Sequence, residues 1–369
     1  MKKEDYPNPK KRINIAFCIY SLGAGGAEKV MTTMANFWAE KNISVTIVTQ
    51  ATSASHYNLH KNVAHHSLRS AKSSSNIIST LFRNFVTVFR LRILLKRIDA
   101  DLVISFMTTM NVISVIAGRT LGLPVIISER YNPWKFTPPL TWKIFRRSIY
   151  PFAKYIVVQS NESKQFFDSF CNPTKVITIY NPVILPEKFS SQSYQKKRNI
   201  ILAIGRLKYV KGFDLLLQAF AALQAPDWEL NIIGEGEERK NLEKLRDTLN
   251  LNGKVNLPGQ FENVKEHYCS ASIFVLCSRA EGFPNSLAEA MSFGLACVST
   301  DCETGPAIMI NSGTDGLLVP NKDINSLGVA LQSLIDQPAL REKLGTAARN
   351  SITKFEINKV MQQWEKLLN

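Results

Sequence analysis

The chain has 369 residues, with 45 Lys and Arg against 30 Asp and Glu, a formal net charge of +15, and 45% of it is hydrophobic. That length makes two domains the default, and 20% charged residues with apolar ones spread throughout exclude general disorder. The charge is one-sided, with 24 basic and 9 acidic residues in 1–185 and 21 of each in 186–369, so the first half is expected to meet nucleic acid, a membrane surface or a phosphorylated substrate.

Lys2, Lys3 and the basic run 10–12 precede an apolar run at 13–20. The run is too short for a signal peptide's core followed by a cleavage site, because it leads into a glycine-rich turn. Apolar, β-branched runs then recur at 44–49, 101–106, 125–128, 155–159 and 176–180, and again at 200–205, 229–234, 254–257, 273–277, 296–300 and 316–319. Amphipathic segments separate them, the pattern of parallel sheets wrapped by helices. The expected architecture is α/β, two doubly wound Rossmann-like domains facing each other across a cleft. The domains are expected at 1–182 and 199–352, joined by a Pro-, Ser- and Lys-rich linker at 183–198, with a C-terminal helix at 353–369 packing back toward the first domain. The longest uncharged run, 102–118, is broken by Ser105, Thr108, Thr109, Asn111 and Ser114 and falls short of the ~20 apolar residues that a span needs. Cys18, Cys171, Cys269, Cys277, Cys297 and Cys302 form no C-x-x-C pair, which fits buried thiols in a reducing cytosol better than disulfides or zinc.

In such folds ligands bind beyond the carboxyl ends of the strands. After the first strand comes Gly23-Ala24-Gly25-Gly26-Ala27-Glu28. Its glycines let backbone approach a phosphate at a helix N-terminus, and they equally suit a tight strand-to-helix turn. Glu28 stands at the third glycine position of the dinucleotide fingerprint, and the second strand ends in Thr49-Gln50 without an acid, so NAD chemistry is disfavoured. After the strand at 200–205, Arg206 and Lys211 precede Gly212 and a helix. A fork and a point charge there would neutralise a diphosphate, and two solvated cations are the alternative. After the strand at 273–277, Glu281-Gly282-Phe283-Pro284-Asn285-Ser286-Leu287 leads to Glu289. Glu281 falls in the loop and Glu289 one turn inside the helix, with free backbone N–H groups between them. Those groups suit sugar hydroxyls, ribose hydroxyls and a phosphate, whereas either Glu alone would be an ordinary acid near a helix start. Asp99-Ala100-Asp101 spells a metal-binding D-x-D, yet its place at a helix-to-strand junction puts it at the end opposite the crevice, so no metal is expected.

Taken together, Gly25-Gly26-Ala27-Glu28, Gly205-Arg206 with Lys211-Gly212, and residues 281–289 resemble the successive motifs of the retaining glycosyltransferases of family GT4, which have the GT-B fold. Val298 through Pro306 and Asp315-Gly316-Leu317-Leu318-Val319 are similar to that family's donor domain. Ile127-Ser128-Glu129-Arg130 and the basic helix before Asp101 are similar to bacterial enzymes that build polyprenol-diphosphate-linked oligosaccharides, N-acetylgalactosaminyltransferases among them. The resemblance implies Arg206 and Lys211 on the donor diphosphate, Glu281 on the donor sugar, Glu289 on the ribose and Gly25-Gly26 beside the phosphates. It further implies a UDP-sugar donor, UDP-GalNAc favoured, transfer with retention, and neither cofactor nor metal. Many members carry a His where this chain has Arg130, so a role for that His does not carry over.

The basic half supplies the acceptor side. A helix over 77–97 spaces Arg83, Arg90 and Arg97 by nearly two turns, with Phe82, Phe85 and Phe89 nearby. Residues 134–154 mix Trp134, Phe136, Trp142, Phe145, Tyr150 and Phe152 with Lys135, Lys143, Arg146, Arg147 and Lys154. Such mixtures suit an anionic membrane, and a solvated face over a core helix is the alternative. Arg83, Arg90, Arg97 and Arg130 are expected to meet a polyprenol-diphosphate acceptor from the cytoplasmic side of the inner membrane. A nucleic-acid reader is disfavoured because it leaves the sugar-transfer motifs unexplained. A transferase for a lipopolysaccharide core, a glycolipid or a soluble acceptor, a nucleotide-sugar 2-epimerase and a non-catalytic binding module are the competing readings.

Overall fold

The computed structural model describes residues 13–70, 77–134, 137–186, 197–261, 263–302 and 304–368. Lys2, Lys3, the basic run 10–12, Lys135, Phe136, Glu303 and most of the 183–198 linker lie outside those residues. Among the described residues no helix is long and apolar enough to cross a membrane.

Runs that are buried on both faces make parallel strands, and those strands form two sheets. The first sheet contains β1 (Asn14–Ile19), β2 (Ser44–Thr49), β3 (Val63–Ser67), β4 (Leu102–Phe106), β5 (Val125–Ser128), β6 (Tyr155–Val158) and β7 (Val176–Thr178) in the order β3-β2-β1-β4-β5-β6-β7. The second contains β8 (Ile200–Ile204), β9 (Glu229–Ile233), β10 (Val255–Gly259), β11 (Ile273–Leu276), β12 (Ala296–Asp301) and β13 (Leu317–Pro320) in the order β10-β9-β8-β11-β12-β13. Every pairing within them is parallel. Strand β3 was not expected from the sequence. Its Val63-Ala64-His65-His66-Ser67 has no apolar run, and as an edge strand paired only to β2 it needs none.

The helices of the first half are α1 (Gly26–Glu40), α2 (Ile77–Arg97), α3 (Thr108–Arg119), α4 (Leu140–Ile149) and α5 (Asn161–Asp168). Those of the second are α6 (Phe213–Ala221), α7 (Arg239–Thr248), α8 (Lys265–Ser270), α9 (Asn285–Ser292), α10 (Pro306–Met309), α11 (Ile324–Asp336), α12 (Pro338–Ser351) and α13 (Ile357–Glu365). Strand order reverses between β1 and β4 in one sheet and between β8 and β11 in the other, which are the crevices where doubly wound sheets take ligands. Two parallel-sheet domains facing each other make the GT-B architecture.

The chain crosses back at its end. Val183 pairs with the segment before α13, its N–H donating to Phe355 O at 2.8 Å and its carbonyl accepting from Ile357 N–H at 3.0 Å. Helix α13 then buries Val360, Met361 and Trp364 in the first domain's core beside Phe17, Trp38 and Phe106. The Phe106 and Trp364 rings lie 6.4 Å apart. Five of the six cysteines are buried and all are free, while Cys269 is exposed, against the expectation for that thiol.

Because Trp364 is fully buried, Trp364→Ala should cost the first domain about 3–5 kcal/mol. Urea unfolding followed by a probe in that domain checks this, and a loss below ~1 kcal/mol would mean that α13 does not complete the core.

Candidate active site

Three loops at the switch points meet across the cleft. Helix α1 starts from Gly25 with no capping side chain, α6 from Gly212 and α9 from Pro284 likewise. The first backbone N–H groups of each helix therefore have no side-chain acceptor at the cap. A Cβ on Gly25 would stand 2.0 Å from Glu28 Oε2 and 2.7 Å from Arg206 Nη2, and one on Gly26 would stand 2.9 Å from Asn285 Nδ2. Both glycines let the first domain's loop touch the second domain's side chains.

Arg206 reaches across the cleft, donating from Nε and Nη2 to Ala24 O at 3.3 Å each. Lys211 ends a 3-10 turn and donates to Glu281 Oε1 at 2.6 Å, the oxygen that also accepts from Ser278 Oγ at 2.6 Å. The Glu281 carbonyl accepts from Thr304 Oγ1 at 2.6 Å, which fixes the loop. Gly282 follows, its Cβ position 3.1 Å from the Arg130 carbonyl of the opposite domain. Phe283 is buried edge-on against Phe355, with ring centroids 5.3 Å apart. Pro284, Asn285, Ser286 and Leu287 start α9, with Leu287 in the core. Glu289 accepts from Lys29 Nζ of α1 at 2.6 Å.

The cleft brings together residues that sequence reasoning did not single out. Asn181, just past β7, accepts from both Arg130 and Gln159 and donates to Asn285 Oδ1 at 2.7 Å. Asn285 Nδ2 in turn donates to Gly26 O at 3.2 Å. Tyr57, on the loop after β2, donates to Gly25 O at 3.2 Å, and burial beside Glu289 and Glu28 raises its phenol's pKa. Burial also raises the Glu28 carboxyl, offset by its own backbone N–H and by Arg206. The signal for Lys29 was its place directly after the glycine-rich motif. For Tyr57 and Asn181 only the third dimension supplies one.

The basic helices are sorted by the structure. On α2, Phe82, Phe85, Phe89 and Ile93 form one exposed stripe, and Arg97 is exposed. Arg90 also bonds inward, from Nη1 to Leu68 O at 2.8 Å and Arg69 O at 3.1 Å. On α4 and its approach, Trp134, Leu140, Ile144 and Phe145 are exposed. Two residues expected on that surface are not there. Arg146 is buried over the Phe166 ring at 4.8 Å, and Tyr150 is fully buried and donates to Glu129, because together they satisfy a carboxylate under the β5 loop. Arg130, on the loop after β5, is also buried and bonds to Asn181. Asp101 Oδ2 accepts from Asn14 N–H at 2.9 Å and the Asp99 carbonyl accepts from Asn14 Nδ2 at 3.0 Å, so the D-x-D serves the strand junction. Among the described residues no group of three His, Cys, Asp or Glu could hold a metal.

Family models agree with this arrangement half by half. The model described as Glycosyltransferase Family 4 matches residues 24–185 and the one described as Glycosyl transferases group 1 matches residues 186–351. A Campylobacter jejuni alpha-1,4-N-acetyl-D-galactosaminyltransferase named for a GalNAc-bearing diNAcBac-PP-undecaprenol is 31% identical over 96% of this chain and 98% of its own. The chain belongs to glycosyltransferase family 4. A second Campylobacter jejuni enzyme, named as an N-acetylgalactosaminyltransferase for a diphospho-undecaprenol glycan, is 28% identical over 95% of the enzyme described here and 98% of its own. Among solved structures, HepE of Anabaena in complex with UDP and glucose superposes with a TM-score of 0.80 at 18% identity, over 96% of this chain and 99% of that one. The Thermosynechococcus elongatus sucrose-phosphate synthase superposes at 0.81 with 19% identity, over 96% and 98%. At those identities the likeness concerns the GT-B fold.

Gly212 is the most constrained point of this glycosyltransferase's site, with φ +68 and a Cβ position 2.0 Å from the Cys277 carbonyl. Gly212→Ala should push the turn bearing Lys211 off its partner and lower sugar transfer by about 10²-fold, together with the melting temperature. Unchanged initial rates would show that Lys211 need not be held where it is.

Proposed function

We propose that the enzyme moves a sugar from a UDP-linked donor, UDP-N-acetylgalactosamine favoured, to a polyprenol-diphosphate-linked glycan, with retention at the anomeric carbon and without a metal. The acceptor rests on the names of two relatives that act on undecaprenol-linked glycans, and the UDP on the ligand named in the HepE complex. The observation that carries the reading is Lys211 held on Glu281, with Arg206 and the uncapped start of α9 following strands of the same switch point of the second domain.

In this reading the donor diphosphate sits between Gly25-Gly26 and the start of α9. The bond from the anomeric carbon to the diphosphate oxygen breaks, and the new bond from the acceptor oxygen forms on the same face. The acceptor proton passes to the departing phosphate oxygen. Negative charge on the leaving group grows along this path, so fixed cations stabilise the transition state more than the ground state. Arg206 offers a fork and Lys211 a compact charge, with Glu281 steering the lysine while its free lone pairs accept sugar hydroxyls. Glu289 faces the ribose hydroxyls from inside α9. The exposed apolar stripe of α2 and the aromatic approach to α4 would rest on an anionic membrane, the inner face of the cytoplasmic membrane, with Arg83, Arg90 and Arg97 toward the acceptor diphosphate.

A screen of nucleotide sugars against lipid-diphosphate acceptors, with product linkage read by NMR, should give an α-linked product from UDP-GalNAc in the presence of EDTA. Turnover confined to lipopolysaccharide-core or soluble acceptors would replace the acceptor, and donor conversion without an acceptor would mark an epimerase. Lys211→Met should lower kcat by about 10²–10³-fold, and an indifferent variant would remove the cation from the mechanism. Joint Arg83→Glu and Arg97→Glu substitution should slow turnover on a vesicle-borne acceptor while leaving UDP affinity unchanged. Equal turnover on vesicles would sink the docking surface.

A further inference from the structure

Most charges in the cleft are balanced by another charge. Lys29 pairs with Glu289 and Lys211 with Glu281, each at 2.6 Å, and Glu28 faces Arg206. Among the described residues, Arg130 is the exception. Its guanidinium is buried, stacked 3.8 Å over the Phe106 ring, with one nitrogen donating to Asn181. Nε and Nη2 have no hydrogen-bond partner among the described residues. The acid next to it in the chain, Glu129, is committed to Tyr150 and to Thr108 Oγ1 at 3.0 Å. Burial alone pushes the guanidinium down to about 9, with no carboxylate to offset it. A cation–π contact recovers part of the lost hydration, but less than an unpaired buried charge costs.

The position of this unbalanced charge is informative. Arg130 connects through Asn181 to Asn285 at the start of α9, and through Asn285 to the Gly26 carbonyl. It therefore backs onto the strip of glycine backbone and free N–H groups at which the diphosphate is placed above. The Gly282 loop of the second domain also rests on the Arg130 carbonyl, which places Arg130 where the two domains meet. A doubly charged anion at that strip would supply the counter-charge that the described residues do not.

We propose that Arg130 is a diphosphate-positioning residue, whose missing counter-charge is supplied by a diphosphate that occupies the cleft. The inference rests on the transferase reading above. The shared ligand chemistry is a diphosphate, and donor and acceptor are its two sources.

The test uses the full chain, as wild type and as Arg130→Met and Arg130→Lys, with binding measured by calorimetry and folding by thermal melting. UDP is compared with uridine, and farnesyl diphosphate in detergent with farnesol. The expected result is a ligand-free melting temperature for Arg130→Met no lower than wild type, since a buried unpaired charge is removed. Its affinity for a diphosphate should fall about 10-fold or more, the loss of one charge-assisted interaction, and Arg130→Lys should restore most of it. Uridine and farnesol, which lack the diphosphate, should bind all three proteins alike. A loss confined to UDP assigns the donor as the source, and one confined to farnesyl diphosphate assigns the acceptor. Equal weakening of a diphosphate and its phosphate-free partner, or no weakening of either diphosphate, overturns the proposal. Wild type that binds neither UDP nor farnesyl diphosphate would instead contradict the transferase reading.

Discussion

When all strands of a sheet run parallel, every strand ends at one edge and every following helix begins there. This single constraint puts the amino ends of α1, α6 and α9 at the cleft, where their first N–H groups have no partner in their own helices. Some other helices of the chain are capped: Ser160 accepts from Ser163 N–H at the start of α5, Asp323 from Ser326 N–H at α11, and Glu356 from Asn358 N–H at α13. At the cleft the cap positions are Gly25, Gly212 and Pro284, none of which has a side-chain acceptor. Leaving donors open there is unfavourable in the free protein and favourable toward an anion, since an N-cap side chain is worth ~1 kcal/mol.

Magnitudes separate what joins the domains from what senses a ligand. Lys29 and Glu289 are partly exposed, and such pairs contribute at most ~1 kcal/mol once solvent screens them. Burying one large apolar side chain contributes about 1.5–3 kcal/mol, and α13 buries Val360, Met361 and Trp364 in the first domain. The crossing helix therefore holds the two halves together, with Val183 and Phe355 as the seam. The polar contacts at the cleft mouth are weak enough to exchange partners, as the proposed admission and release of a nucleotide sugar would require.

Much of this was legible in the sequence because parallel strands buried on both faces are written as continuous apolar runs. Twelve of the thirteen strands among the described residues fall on runs read from the sequence, and β3 escaped because an edge strand reading Val-Ala-His-His-Ser carries no such signal. The loops bearing Gly25, Arg206, Lys211 and Glu281 were readable because they sit at fixed offsets from those runs. Partnerships between distant segments were not. Nothing local distinguishes Lys29 as the partner of Glu289, 260 positions away, or Asn181 as the partner of Asn285, 104 positions away. Arg146 and Tyr150 looked like surface residues because residues 134–154 alternate cations and aromatics. Their burial follows from Glu129, whose charge needs them.

The net charge of +15 thus divides by position. Exposed cations such as Arg97 lie by the apolar stripe of α2, Arg146 stabilises a loop from within, and Arg130 stays unbalanced beside the cleft. In the proposed function, three loops from two domains form one diphosphate seat. Hydrogen exchange of the full protein with and without UDP tests it most directly. The account predicts simultaneous protection of backbone amides at 24–28, 208–215 and 282–288. Protection in only one domain, or away from these three loops, would contradict it.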